Sequence, residues 1–299
     1  RRSRCRTQDD TRGRAAFTLI ELLVVIAVIA LLMAILLPVL GRVRSQARAV
    51  VCQANMRQWG MTLALYVENH QGELPYSSGF GIGSVWLLRG VVVSDDAPDA
   101  PQDSLHHFQT QGIACCPMAA KPVARDPYTF NWPAHFGDNL SAYIEGTSGS
   151  TFKAWQITSP GSPFRGSYAP NADLFSRFPL PSRTAGRRGP NVFRLRGRDS
   201  RPVLLDCAIP WCDPHERDRP PRTEFRTGEF SPDMDGVCIN RHNAHVNGLF
   251  LDWSARKVGL KELWTLEWHE EFDTGGPWTI AGGVKRSDWP KWMRHFKDY

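Results

Sequence analysis

The chain has 299 residues, 42% hydrophobic and 22% charged, with a formal net charge of +6, so it is long and apolar enough to bury a core and is not a disordered polyelectrolyte. Residues 1–16 hold six arginines against two aspartates and carry +4 of that charge, leaving +2 for the rest. No continuous basic stripe follows residue 50, so nucleic acid is not an expected partner.

Residues 15–40 read AAFTLIELLVVIAVIALLMAILLPVL. The uncharged run Leu22–Leu40 is 19 residues long, enough to cross the hydrocarbon core of a bilayer as a helix. Glu21 stands at its head. An acidic residue in mid-membrane costs about 2.5–3.5 kcal/mol, so a carboxylate joined to such a run calls for a designated partner. Arg1, Arg2, Arg4, Arg6, Arg12 and Arg14 keep the leader cytoplasmic by the positive-inside rule, and Arg42, Arg44 and Arg48 oppose it more weakly. The expected topology is a single pass, with residues 1–16 as leader, 17–40 as membrane helix and the remainder exported. A secretory signal has a shorter apolar core, about 7–15 residues, with its cut after that core.

Ala16, Phe17, Thr18, Leu19, Ile20 and Glu21 together resemble the processing site of type IV prepilins and type II secretion pseudopilins. The resemblance implies that a prepilin peptidase cuts between Ala16 and Phe17 and methylates the new Phe17 amine. Ala16 stands where that family usually has Gly, and Pro38 matches its helix-kinking proline. The freed amine, with an ordinary pKa of about 8, would lie one helical turn from Glu21. Each can neutralise the other within one helix. In pilin-like filaments the corresponding pairing between neighbouring subunits sets the register, which gives Phe17, Glu21 and Pro38 roles in assembly. The implied partners are the peptidase, other pilin-like subunits and the inner membrane, with the C-terminal part periplasmic or extracellular.

From Arg42 to His70 no proline interrupts the chain, and Val43, Ala47, Val50, Ala54, Leu63 and Val67 recur near helical spacing. One long helix is therefore expected to continue through residues 41–75, stopped by Gly72 and Pro75. YVENHQGELP (66–75) resembles the helix end of pseudopilin-like proteins that carry a His, nine residues, Asp-Gly signature. Here His242 is followed by nine residues and Asp252, with Trp253 in place of Gly. CCP (115–117), SYAPN (167–171) and RPVLLDC (201–207) sit in the order of that group. The resemblance implies an α+β pilin-like fold, a long N-terminal helix whose outer half packs on an antiparallel sheet, here in a globular domain at 76–258 with loop-rich insertions.

Within that domain GSVWLLRGVVVS (83–94) is either helix or strand, and Arg183, Arg187, Arg188, Arg194, Arg196, Arg198 and Arg201 read as a solvated loop. NGLFLDW (247–253) reads as a strand and VCINRH (237–242) as its hairpin partner, which would let His242 bond Asp252, the alternatives for this pair being metal ligation or a partner contact. Cys5 leaves with the leader. Cys52, Cys115, Cys116, Cys207, Cys212 and Cys238 remain, an even number that an oxidising compartment favours as disulfides. Alternatively they stay free and buried, or Cys207, Cys212 and Cys238 with His242 and His245 form a mixed-ligand zinc site. DMDG (233–236) resembles a calcium loop without the downstream Glu of an EF-hand, and some pseudopilins bind calcium near this part of the fold. No cofactor is otherwise expected.

Six of the eleven tryptophans fall in the last stretch: Trp253, Trp264, Trp268, Trp278, Trp289 and Trp292. GLKELWTLEWHEEFD (259–273) reads as an amphipathic helix at the start of a Trp-rich tail, 259–299. These aromatics either cover an open face of the sheet or form a platform for sugar or a partner. Two functions follow, a filament subunit or a membrane-tethered exported binding protein, possible ligands including glycans. His106, His107, His242 and Asp252 form no catalytic set with a nucleophile or oxyanion device, so an enzyme is not expected.

Overall fold

The computed structural model describes residues 18–74, 91–93, 105–107, 112–124, 128–136, 139–159, 163–175, 191–224 and 233–299. The chain divides into two compact units, residues 1–44 and 45–299. One helix, α1 (Leu19–Asn69, 51 residues), begins in the first and ends in the second. In the first unit its apolar side chains, from Leu19 to Leu40, are all exposed, and Pro38 lies inside the helix, where it supplies no N–H to the helical ladder.

In the second unit α1 becomes amphipathic, burying Ala49, Cys52, Met56, Trp59, Leu63 and Val67 along one stripe. Leu63 and Val67 are among the positions whose spacing marked the helix, whereas Val43, Ala47 and Val50 face outward. The buried stripe is carried by the larger Met56 and Trp59, which hide more apolar area. The helix stops at Gly72 as its sequence indicates: Gln71 and Gly72 take positive φ (56° and 91°), and the Gly72 N–H donates back to the Val67 carbonyl at 2.8 Å, while Pro75 lies outside the described residues.

Ten strands follow. β1 (Val91–Val93) pairs with β2 (Leu105–His107), so the described part of the 83–94 segment is strand. β3 (Thr129–Phe136), β4 (Asn139–Thr147), β5 (Trp155–Ser159) and β6 (Phe164–Gly166) form one antiparallel sheet in that order. β7 (Tyr168–Pro170), β8 (Pro202–Asp206), β9 (His245–Phe250) and β10 (Ala255–Gly259) form a second, ordered β10-β9-β8-β7 and also antiparallel. The α+β architecture expected from the resemblance is present, with two four-stranded sheets.

The second sheet is covered on both faces. Tyr168, Leu204 and Leu249 join α1's Cys52, Met56, Trp59 and Leu63 in one core. Ala169, Leu205, Val246, Phe250 and Val258 point the other way, into a core with Leu263, Trp264, Trp268 and Trp289. This follows from the alternation of side chains along a strand when both faces are buried: from Val246 onward every residue of β9 is buried. Gly60 lets α1 approach, since a Cβ there would meet Leu249 Cδ1 at 2.9 Å and the Trp253 carbonyl at 3.2 Å. The Trp-rich tail thus covers a sheet face.

Several local expectations are corrected. Residues 237–242 are not a strand: Met234–Val237 is one helical turn, and β9 pairs instead with β8 and β10. Asn243 and Ala244 at φ 56° and 68° turn the chain sharply before β9, and the Asn240 side chain accepts from the Ala244 N–H at 2.6 Å. The strand also ends earlier than its sequence suggests, because Trp253 (φ 66°) closes a turn with its N–H on the Phe250 carbonyl. Residues 259–273 are not an α-helix but a 3₁₀ turn, Glu262–Thr265, followed by further turns. The turn is pinned by nonlocal bonds, the Trp264 indole donating to the Asp218 carbonyl at 2.9 Å. Arg194, Arg196 and Arg198 are exposed as expected, but Arg201 is buried and pairs with Glu267 at 3.6 Å. Arg183, Arg187 and Arg188 lie outside the described residues.

Candidate functional site

At the N-terminus Ala16 and Phe17 lie outside the described residues, which begin at Thr18. Thr18 and Glu21 form a reciprocal cap on α1. The Thr18 N–H and hydroxyl both donate to Glu21 Oε2 at 2.8 Å, and the Glu21 N–H donates to the Thr18 hydroxyl at 3.2 Å. This is the Thr-x-x-Glu capping box, a signal readable in TLIE that reasoning about the charge of Glu21 alone overlooks. Glu21 therefore satisfies helix-start donors while its carboxylate stays at the exposed start of α1.

In the second unit a polar cluster sits inside the core, assembled by four separate segments. Cys52 comes from α1, Cys116 from the CCP loop, Asp206 from the end of β8, and Arg241 and His242 from the turn before β9. Asp206 is its centre. Arg241 Nη1 donates to Oδ1 at 2.9 Å, the Asn247 N–H to Oδ2 at 2.8 Å, and His242 Nε2 lies 3.1 Å from Oδ2. The Cys52 thiol reaches both carboxylate oxygens at 3.7 Å, and Cys116 Sγ is 3.4 Å from His242 Nε2. The Tyr168 hydroxyl donates to Cys52 Sγ at 3.3 Å.

Arg241 is held as firmly as it holds. Its remaining N–H groups donate to the carbonyls of Thr151 (2.8 Å), Ser167 (2.6 Å), Ser150 (3.2 Å) and Cys207 (3.2 Å). A guanidinium offers five donors in a fixed fork, and all five are used. A buried cation and carboxylate are tolerated only when their hydrogen bonding is complete in this way.

The electrostatics follow. Burial alone would raise the Asp206 pKa, but the charges of His242 and Arg241 bring it down to about 2. Burial would lower that of His242, yet Asp206 beside it lifts it to about 9. Burial would raise the Cys116 thiol, and the hydrogen bonds from Cys52 and His242, with Arg241 nearby, take it down to about 6. Cys52, whose largest influence is burial, stays well above the ordinary thiol value. His242 Nδ1 has no hydrogen-bond partner, so all the polar bonding of the ring falls on Nε2.

Residues 11–37 match the family model described as the prokaryotic N-terminal methylation motif. This is a prepilin-type N-terminus. The match spans Ala16, Phe17 and Glu21, and the apolar helix in which it ends is long enough to cross a membrane. No curated protein and no solved structure matches the chain.

The structure separates the chain's other expected groupings. His242 and Asp252 do not meet: His242 turns inward to Asp206 and Cys116, whereas Asp252 is exposed and accepts from the Ser254 N–H at 2.9 Å. Their spacing places Asp252 in the turn after β9, on the far end of that strand from His242. All six cysteines from Cys52 to Cys238 are free thiols, so the disulfide expectation is not met. Cys207, Cys212 and Cys238 are buried among apolar side chains of the tryptophan core and do not join His242. The donors that do gather with it are Cys52, Cys116 and Asp206, all within 4.8 Å of one another. Sequence reasoning noted CCP and RPVLLDC as segments without finding that α1 and the loop before β9 bring them together. A second group, His215, Glu216 and His269, has the same compactness but is only partly buried.

Proposed function

We propose that this protein is a pseudopilin-like structural subunit of a type II secretion or type IV pilus-like filament. A prepilin peptidase cuts it between Ala16 and Phe17. It waits in the inner membrane, leader inside and globular unit outside, until its N-terminal helix joins a bundle. One observation carries this reading: the methylation motif leads into a helix whose membrane-length apolar stretch is wholly exposed, with one carboxylate, Glu21, at its head. An apolar surface that long requires a cover. Lipid supplies it before assembly, and neighbouring helices supply it afterwards.

The tethered binding protein is less well supported. A stacking platform needs exposed aromatic faces, but Trp264, Trp268 and Trp289 are each only 1% exposed, and Trp264 and Trp289 pack edge to face at 5.3 Å. Intact mass measurement of the N-terminus from the native membrane tests the reading. A chain beginning at N-methylated Phe17 is expected. A chain retaining residues before Ala16 would remove peptidase processing and with it the filament assignment.

A further inference from the structure

We propose that Cys52, Cys116, Asp206 and His242 together bind one zinc ion that clips α1 to the sheet. Tetrahedral zinc with bonds of about 2.0–2.3 Å places its donors roughly 3.3–3.8 Å apart. The donors here lie at 3.1 Å (His242 Nε2 to Asp206 Oδ2), 3.4 Å (Cys116 Sγ to His242 Nε2) and 3.7 Å (Cys52 Sγ to Asp206), with every pair within 4.8 Å. Three donor pairs lie within about 0.2 Å of that range, and the others need to draw in by at most about 1 Å, which side-chain rotation supplies.

Donor type and charge agree with geometry. Two thiolates and an imidazole are the soft and borderline ligands that select zinc over calcium or magnesium, and one carboxylate completes four. A zinc ion with two thiolates and Asp206 leaves one negative charge, which the buried guanidinium of Arg241 balances. The site is therefore neutral where no water can screen it. Arg241 and the Asn247 N–H orient the carboxylate from behind, at 2.9 and 2.8 Å, as outer partners of a metal ligand do. All four positions are filled by protein, so the ion is structural and leaves no open position for substrate.

The competing chemistry of the same residues is a Cys52 to Cys116 disulfide, which the exported compartment would favour if the thiols were not held by metal. The two are distinguished on the full-length chain purified in detergent without chelator. Elemental analysis is expected to give about one zinc per chain. The Cys116→Ser and His242→Ala variants are expected to lose it by about 10-fold or more, while Cys212→Ser, a buried thiol outside the cluster, keeps it. Should the two ligand variants fail to fold, cobalt exchanged into the unmutated chain decides: thiolate-to-cobalt charge transfer with tetrahedral ligand-field bands is expected. A metal-free chain overturns the proposal, whether its mass is two hydrogens short with a Cys52–Cys116 cross-linked peptide or its thiols are all alkylated. So does an octahedral cobalt spectrum, or zinc retained in both ligand variants, which would move the ion to a site such as His215, Glu216 and His269. None of these outcomes bears on N-terminal processing, so the zinc site and the filament reading stand or fall separately.

Discussion

Arg241 and Asp206 form an ion pair at 2.9 Å with neither side chain exposed to solvent. The pair lies between α1, the CCP loop and β8, and the same carboxylate receives His242 and the Asn247 N–H. Replacing Arg241 with Met removes one of the two cations that face the buried carboxylate and leaves it only His242 and the Asn247 N–H. Removal of one partner from a buried pair costs about 3–5 kcal/mol. Urea denaturation of the Arg241→Met chain should show a loss of that order, and a loss below about 1 kcal/mol would mean that His242 and the Asn247 N–H hold the carboxylate without the guanidinium.

Glu21 caps α1 through Thr18, and in the proposed filament it also pairs with an amine; two variants separate these roles. Glu21→Gln keeps an oxygen for the Thr18 N–H but removes the charge, and Glu21→Ala removes both. If charge pairing with a neighbouring Phe17 amine drives assembly, both should be absent from the sheared filament fraction on immunoblot. Recovery of Glu21→Gln at the native level would reduce Glu21 to a helix cap. Thr18→Ala should cost the helix about 1 kcal/mol and leave assembly in place.

Gly60 leaves room for Leu249 of β9 against α1. A valine there would press on Leu249 and the Trp253 carbonyl, and overpacking of this kind costs about 1–3 kcal/mol. Thermal unfolding of Gly60→Val should therefore begin at lower temperature. An unchanged midpoint would show that the helix and strand can move apart freely.

Trp268 is buried, with its indole donating to the Leu263 carbonyl at 2.8 Å. Trp268→Ala should destabilise the second unit by about 3–5 kcal/mol, as large core truncations do. A variant with native stability but weakened binding to a polysaccharide column would reverse the assignment of this tail from core to binding surface.

The local features were legible from residues alone. A run of apolar residues, the FTLIE order, a Gly at the end of α1 and the phase of Leu63 and Val67 depend on neighbours a few positions away, and the helix forms as they indicate. TLIE also encoded the cap, through spacing of three residues. Where local pattern met tertiary constraint, the constraint prevailed: Leu260, Leu263, Trp264 and Trp268 have helical spacing, yet the chain follows turns because each side chain is claimed by a core on the sheet.

The sequence by itself determined the membrane-length helix, its charged head and the processing motif, because each is a short-range relation along one segment. Only the tertiary structure decided what His242 faces. Cys52 and Asp206 are 154 residues apart and Cys116 and His242 are 126 apart, and no periodicity links them. They meet because burying both faces of the second sheet fixes α1 on one side and turns the loop before β9 inward, where an arginine that uses all five donors holds the carboxylate in place.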